Sequence, residues 1–230
     1  MSEPGRYTNK RVLITCIDRY MGKPIAEGFE REGAEVITDN DLLQTQEAVD
    51  ALKQKVGDID ILVANFADDP RPNPVGKLDS ADWESQFELM VYPFMRTINT
   101  FAPAMQAQGH GKIVAMTSAS SLRGIPGFSS YCSARGAQNA FVRAAGLELA
   151  ASNVQLNAIA QNYVKNERYF PDEFINSDVF KEKVLPHIPT GKVADPEETA
   201  ELALYLASDK CTHMVGQVLP WAGGWVTTTG

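Results

Sequence analysis

Apolar residues along this chain fall into two kinds of pattern. One kind is a short unbroken run: Arg11-Val-Leu-Ile-Thr-Cys16, Ala34-Glu-Val-Ile-Thr38 after Gly33, Asp60-Ile-Leu-Val-Ala-Asn65, Lys112-Ile-Val-Ala-Met-Thr117, Val154-Gln-Leu-Asn-Ala-Ile-Ala160 and Gly216-Gln-Val-Leu-Pro-Trp221. Runs of this length, rich in β-branched residues, suit strands covered on both faces. Between them lie longer stretches of helical periodicity, which predict helices over roughly Gly22–Glu32, Gln44–Val56, Ser85–Gln106, Ser129–Ala151 and from Asp195-Pro-Glu-Glu to Ala207. Pro93 and Pro103 predict a kink or a late boundary in the third of these.

Strands alternating with helices through short connections predict a single α/β domain over residues 1–230, a doubly wound parallel sheet of Rossmann-like type. Such sheets bind ligands beyond the carboxyl ends of their strands. Thr15, Asn65, Ser118 and Ala160 fall at or near those ends, so one site is expected. The loop-rich segment 161–190, with Pro171, Pro186 and Pro189, reads as a cap over it.

Composition narrows the function classes. With 230 residues and 44% hydrophobic, the chain can bury a sizeable core. Its net charge of −8 argues against a general surface for nucleic acid or anionic membrane. No apolar run reaches membrane-spanning length, and the N-terminal residues lack a basic and an apolar signal region, so the cytoplasm is expected. Cys16, Cys132 and Cys211 form neither a disulfide framework nor a metal cluster, and His110, His187 and His213 show no ligand spacing.

The candidate chemistry lies in Ser118-Ala-Ser-Ser-Leu-Arg-Gly-Ile-Pro-Gly-Phe-Ser-Ser-Tyr131-Cys-Ser-Ala-Arg135. Tyr131 and Arg135, four apart, share a helix face one turn from each other. Ser118, ending an apolar strand, can fold back across the intervening loop towards Tyr131. A Ser–Tyr pair can hold a substrate hydroxyl and move its proton. Arg135 keeps its charge and exchanges no proton, so its use beside Tyr131 is electrostatic. The bland alternative for Arg135 is a surface arginine paired with an acid.

This spacing is that of the Ser, Tyr and Lys of the short-chain dehydrogenase/reductases, with arginine for lysine. Those enzymes carry Thr-Gly-x-x-x-Gly-x-Gly after the first strand, where bare backbone meets the pyrophosphate at a helix N-terminus. Here the turn reads Thr15-Cys16-Ile-Asp-Arg-Tyr20-Met-Gly22, with Asp18 adding a like charge. Three later stretches also depart: Ala64-Asn65-Phe66-Ala67 for Asn-Asn-Ala-Gly, Met90 where an asparagine follows Trp83, and Gln161-Asn162-Tyr163-Val164 for Pro-Gly and a threonine. With Thr15, Tyr20 and Gly22, the chain resembles the halohydrin dehalogenases, relatives of that family. The resemblance covers Arg11 to Trp225.

Several expectations follow from that resemblance. It implies a carbon–halide lyase that converts vicinal halohydrins to epoxides and opens epoxides with small anions such as halide, azide, cyanide or nitrite. Ser118, Tyr131 and Arg135 would be catalytic. Tyr20, Gln161, Asn162, Tyr163, Val164, Tyr169 and Phe170 would hold the halide, with the amides of Tyr163 and Val164 facing the ion. The alternative for Tyr169 and Phe170 is that they anchor their loop on the core. No cofactor and no metal enters such a cycle. A homotetramer through the two long helices is implied, and Phe94, Ile98, Phe101, Phe141, Val142 and Leu149 serve either that contact or the sheet. Two rivals stand beside this reading: an NAD(P)-dependent oxidoreductase with an atypical nucleotide loop, in which Asp39 stands where a ribose-binding acid would, and a non-catalytic binding subunit.

Overall fold

The computed structural model describes residues 5–227. Six parallel strands form one sheet in the order β2-β1-β3-β4-β5-β6: β1 Arg11–Ile14, β2 Glu35–Thr38, β3 Ile61–Ala64, β4 Gly111–Ser118, β5 Val154–Gln161 and β6 Val218–Trp221. The chain moves outward from β1 to β2 and then crosses back to β3 on the other side of β1. That reversal opens a crevice at the carboxyl ends of β1 and β3, where open parallel sheets take their ligands.

Strand side chains alternate between two cores, as the period of two requires. Leu13, Leu62, Ala64, Ile113, Ala115 and Leu156 point to one face, under α2 Gln46–Val56, α4 Tyr92–Gln108 and α6 Ser129–Ala150. Val12, Ile14, Ile61, Val63, Val114 and Ile159 point to the other, under α1 Gly22–Arg31 and α9 Pro196–Ala207. Both sides are apolar, so the runs read as continuous rather than alternating. Gly146 on α6 lets the helix touch the loop before β6: a Cβ there would lie 2.6 Å from the Cα of Gly216.

The doubly wound parallel sheet expected from the pattern is present. The predicted helix over Ser85–Gln106 is in fact two, α3 Ser80–Met90 and α4, which meet at Val91. Asp79 caps α3 by accepting from the Ala81 amide, and Pro93 sits in the first turn of α4, where its missing N–H costs nothing. Asp195 opens α9 with a capping box to Glu198. Short helices α5 Ser120–Arg123, α7 Asp172–Ile175 and α8 Asp178–Lys183 complete the loops. Among the described residues no helix is long and apolar enough to cross a membrane.

Phe94, Ile98, Phe101, Val142 and Leu149 lie in the chain's own core, with Phe141 packed against it. Of their two expected uses, they serve the sheet.

Candidate active site

Ser118 is the last residue of β4, and α5 turns the chain back so that α6 begins beside it. Asn73 anchors that start: its amide donates to the Gly127 carbonyl at 2.6 Å and its side chain to Ser130 Oγ at 2.8 Å. Tyr131 therefore enters in the first turn of α6 and Arg135 one turn later. All three are buried. Ser118 Oγ donates to Ser120 Oγ at 2.9 Å. Arg135 Nε donates to the Tyr131 hydroxyl at 3.2 Å, and its guanidinium stands 5.3 Å from the Tyr131 ring centroid. Met90, Tyr131 and Ala134 form a small apolar cluster, so the residue that replaces an asparagine packs on the tyrosine.

A chamber of about 70 Å³ lies over these groups. Every site residue expected from the sequence lines it: Ser118, Tyr131 and Arg135 on the floor, Tyr20 from the first turn, Gln161, Asn162, Tyr163 and Val164 after β5, and Tyr169 and Phe170 from the cap. Gln161 Oε1 is buried there without a hydrogen-bond partner, an acceptor open to a substrate donor. The Tyr163 amide, expected to face an ion, donates instead to Asn162 Oδ1 at 2.9 Å. Tyr163 packs between Phe170 and Trp225, with ring centroids 5.5 and 5.8 Å away.

The first turn keeps a glycine-like backbone at the two positions where Cys16 and Tyr20 replace glycine. Cys16 and Tyr20 both have φ of 48°, in the left-handed region that side chains rarely occupy. Asn65 ties the turn down, donating to the carbonyls of Cys16 at 3.2 Å and Arg19 at 2.8 Å. A Cβ on Gly22 would meet the Ile17 carbonyl oxygen at 2.2 Å, so this glycine serves the closure of the turn itself.

Tyr20 stacks on Tyr169 with centroids 5.0 Å apart and 18° between the planes. Their hydroxyls touch each other, and both donate to Asp69, at 3.2 Å from Tyr20 and 2.8 Å from Tyr169. Arg168 pairs with the same carboxylate. Burial pushes both phenols above the usual tyrosine range, so they stay neutral donors. A small anion set between these hydroxyls would meet the Asp69 charge. Tyr20 lines both the chamber and an outer cavity of about 750 Å³, whose other lining residues include Asp18, Arg19, Lys23, Glu27, Asp68 and Lys165. Most of those charges are paired, Lys23 with Asp18 and Lys165 with Asp172.

The sequence pattern did not reveal Asp69, which binds both phenols, or Gln138, which accepts from Arg135. Asn65 was placed at a strand end, but its hold on the first turn was not foreseen.

A nicotinamide nucleotide does not fit this arrangement. Its diphosphate would lie over a turn where Tyr20, stacked on Tyr169, supplies a ring. Asp39, at the end of β2, is buried and accepts from the Asp41 amide at 3.1 Å.

The family model described as enoyl-(acyl carrier protein) reductase matches residues 37–226. The 3-oxoacyl-[acyl-carrier-protein] reductase FabG of Thermotoga maritima is 30% identical over 190 residues, covering 83% of this chain and 74% of that protein. The 7alpha-hydroxysteroid dehydrogenase of Escherichia coli K12 is 27% identical over an alignment of 253 residues, covering 98% and 97%. A solved structure titled "Dehalogenation enzyme" superposes with a TM-score of 0.87 at 29% identity, covering 95% of this chain and 99% of that one. The family model and the curated relatives are reductases and dehydrogenases. They overturn the expectation of a halohydrin dehalogenase, a carbon–halide lyase forming epoxides without a cofactor, and favour the oxidoreductase rival.

Proposed function

The chain belongs to the short-chain dehydrogenase/reductase family, and we propose that it is an oxidoreductase interconverting the hydroxyl and the carbonyl of a small molecule. The observation that carries this reading is the convergence of Ser118, Tyr131 and Arg135 in one buried chamber of a chain whose curated relatives are reductases.

The chain's own residues account for the proton half of such a reaction. Ser118 Oγ hydrogen-bonds the substrate oxygen and fixes its place beside Tyr131. In reduction the Tyr131 hydroxyl gives its proton to the oxygen as negative charge develops there, and in oxidation it takes that proton back. Arg135, a buried guanidinium, stabilises whichever oxygen is negative. Gln161 Oε1 offers an acceptor to a second polar group of the substrate. The chamber's size favours a short substrate segment at the reacting carbon. Hydride itself needs a carrier that no side chain replaces. Since the family's nucleotide does not fit beside the closed Tyr20–Tyr169 pair, entry of a carrier requires that pair to part.

The test is consumption of reduced nicotinamide nucleotide with short 3-oxo thioesters and ketones, comparing the wild type with Tyr131→Phe. Loss of the phenol should lower turnover by about 10²- to 10⁴-fold, the usual weight of a positioned acid–base group, with the melting temperature retained. Equal turnover by the two proteins would remove Tyr131 from the reaction.

A further inference from the structure

Arg135 is 4% exposed, yet among the described residues no carboxylate pairs with it. Its partners are all neutral. Nη1 donates to the Phe66 carbonyl at 3.0 Å, the Met116 carbonyl at 3.4 Å and Gln138 Oε1 at 2.9 Å, and Nε reaches the Tyr131 hydroxyl. A buried cation usually has an opposite charge beside it. Here the positive charge is held by dipoles and left uncancelled beside Tyr131.

Gln138 makes that possible. It is fully buried on α6, one turn from Arg135. Its Nε2 donates to the Phe66 carbonyl at 3.2 Å and the Met90 carbonyl at 2.7 Å. Those two acceptors decide which end of the amide faces Arg135, because a carbonyl cannot accept from Oε1. The Phe66 carbonyl is shared by Gln138 and Arg135, so the loop after β3, the end of α3 and α6 are locked around the guanidinium. A glutamate could still accept from Arg135, but it would lose the two donations to the Phe66 and Met90 carbonyls, and its charge would cancel the cation's pull on an oxygen anion.

We propose that Gln138 is a positioning residue that holds Arg135 towards Tyr131 while leaving its charge uncompensated. This rests on the reading that Tyr131 exchanges a proton with the substrate oxygen. The other titratable groups near this pair are Tyr20 from the first turn and Tyr169 from the cap, both neutral, with Asp69 and Arg168 behind them. None of them supplies the missing counter-charge to Arg135 directly.

The experiment compares Gln138→Glu and Gln138→Met with wild type in three readouts: thermal unfolding, the pH profile of turnover, and the ultraviolet tyrosinate difference spectrum with Tyr131→Phe as background. Gln138→Glu should move the pH of half-maximal turnover and of the Tyr131 spectral change upward by about one unit or more, about tenfold in the proton equilibrium. Gln138→Met, similar in volume and unable to bind Arg135, should lower kcat with KM little changed. If both variants only lower the melting temperature, and pH midpoint and kcat keep their wild-type values, Gln138 is structural and the proposal is overturned. Should Gln138→Glu fail to fold, Gln138→Met decides alone. The spectral readout needs no turnover. Absence of activity in every protein would sink the oxidoreductase reading, while the spectral shift would still decide Gln138.

Discussion

Cys16 and Tyr20 carry side chains on a backbone shaped for glycine, each at φ of 48°. Such conformations cost of order 1 kcal/mol or more per residue and persist where surrounding contacts fix them. Here the Asn65 side chain and the Asp69-bound hydroxyl of Tyr20 supply those contacts. Asp39 gives a prediction at the same scale. Burial raises its carboxyl, and nearby Asp41 adds to this. A carboxyl raised in the fold contributes stability below its unfolded value, and that contribution is lost as pH rises through the folded one. Asp39→Asn should therefore raise the melting temperature near pH ~7 and not near pH ~3, where aspartate is protonated in both states. An equal change at both pH values, by calorimetry, would show that its charge is not what the fold penalises. Ser118, Tyr131 and Arg135 were legible in the sequence because one strand end and one helix turn set their spacing. Gln138 and Asp69 were not, since the carbonyls that orient Gln138 and the phenols that bind Asp69 lie on other elements, 48 to 100 residues away.

At the scale of elements, buried strands and α9 announced themselves through apolar runs and the Asp195-Pro-Glu-Glu start. The break at Val91 did not, because helical periodicity continues across it and only Pro93 marks the boundary. The cap was legible as a proline- and aromatic-rich segment, but its grip on the first turn was not. That grip is the Tyr20–Tyr169 stack on Asp69, built from three loops. Tyr20→Gly suits the local φ and removes the ring between the two cavities. Reduced nicotinamide nucleotide should bind this variant at least about tenfold more tightly than wild type in titration calorimetry, about 1.4 kcal/mol. Unchanged affinity would show that the ring pair does not govern entry.

The whole molecule is one parallel sheet with a helical layer on each face, as strand–helix alternation predicts. Assembly was less legible. The apolar positions that the pattern left open between sheet and tetramer lie in the chain's own core, whereas Tyr92 and Met95 on α4 and Leu147 on α6 remain exposed. The homotetramer implied by the resemblance is a proposal, and these side chains are where two long helices would meet a neighbour. Sedimentation at micromolar concentration should give four subunits, and a monomer there would contradict this.

The oxidoreductase reading is tested most directly by nucleotide-dependent reduction of a short 3-oxo thioester by the purified protein, with Tyr20→Gly and Tyr131→Phe alongside. Nucleotide oxidation is expected from the wild type, faster oxidation from Tyr20→Gly and almost none from Tyr131→Phe. No oxidation by either of the first two, with Tyr131-dependent release of halide from a vicinal bromo-alcohol in the absence of nucleotide, would contradict it.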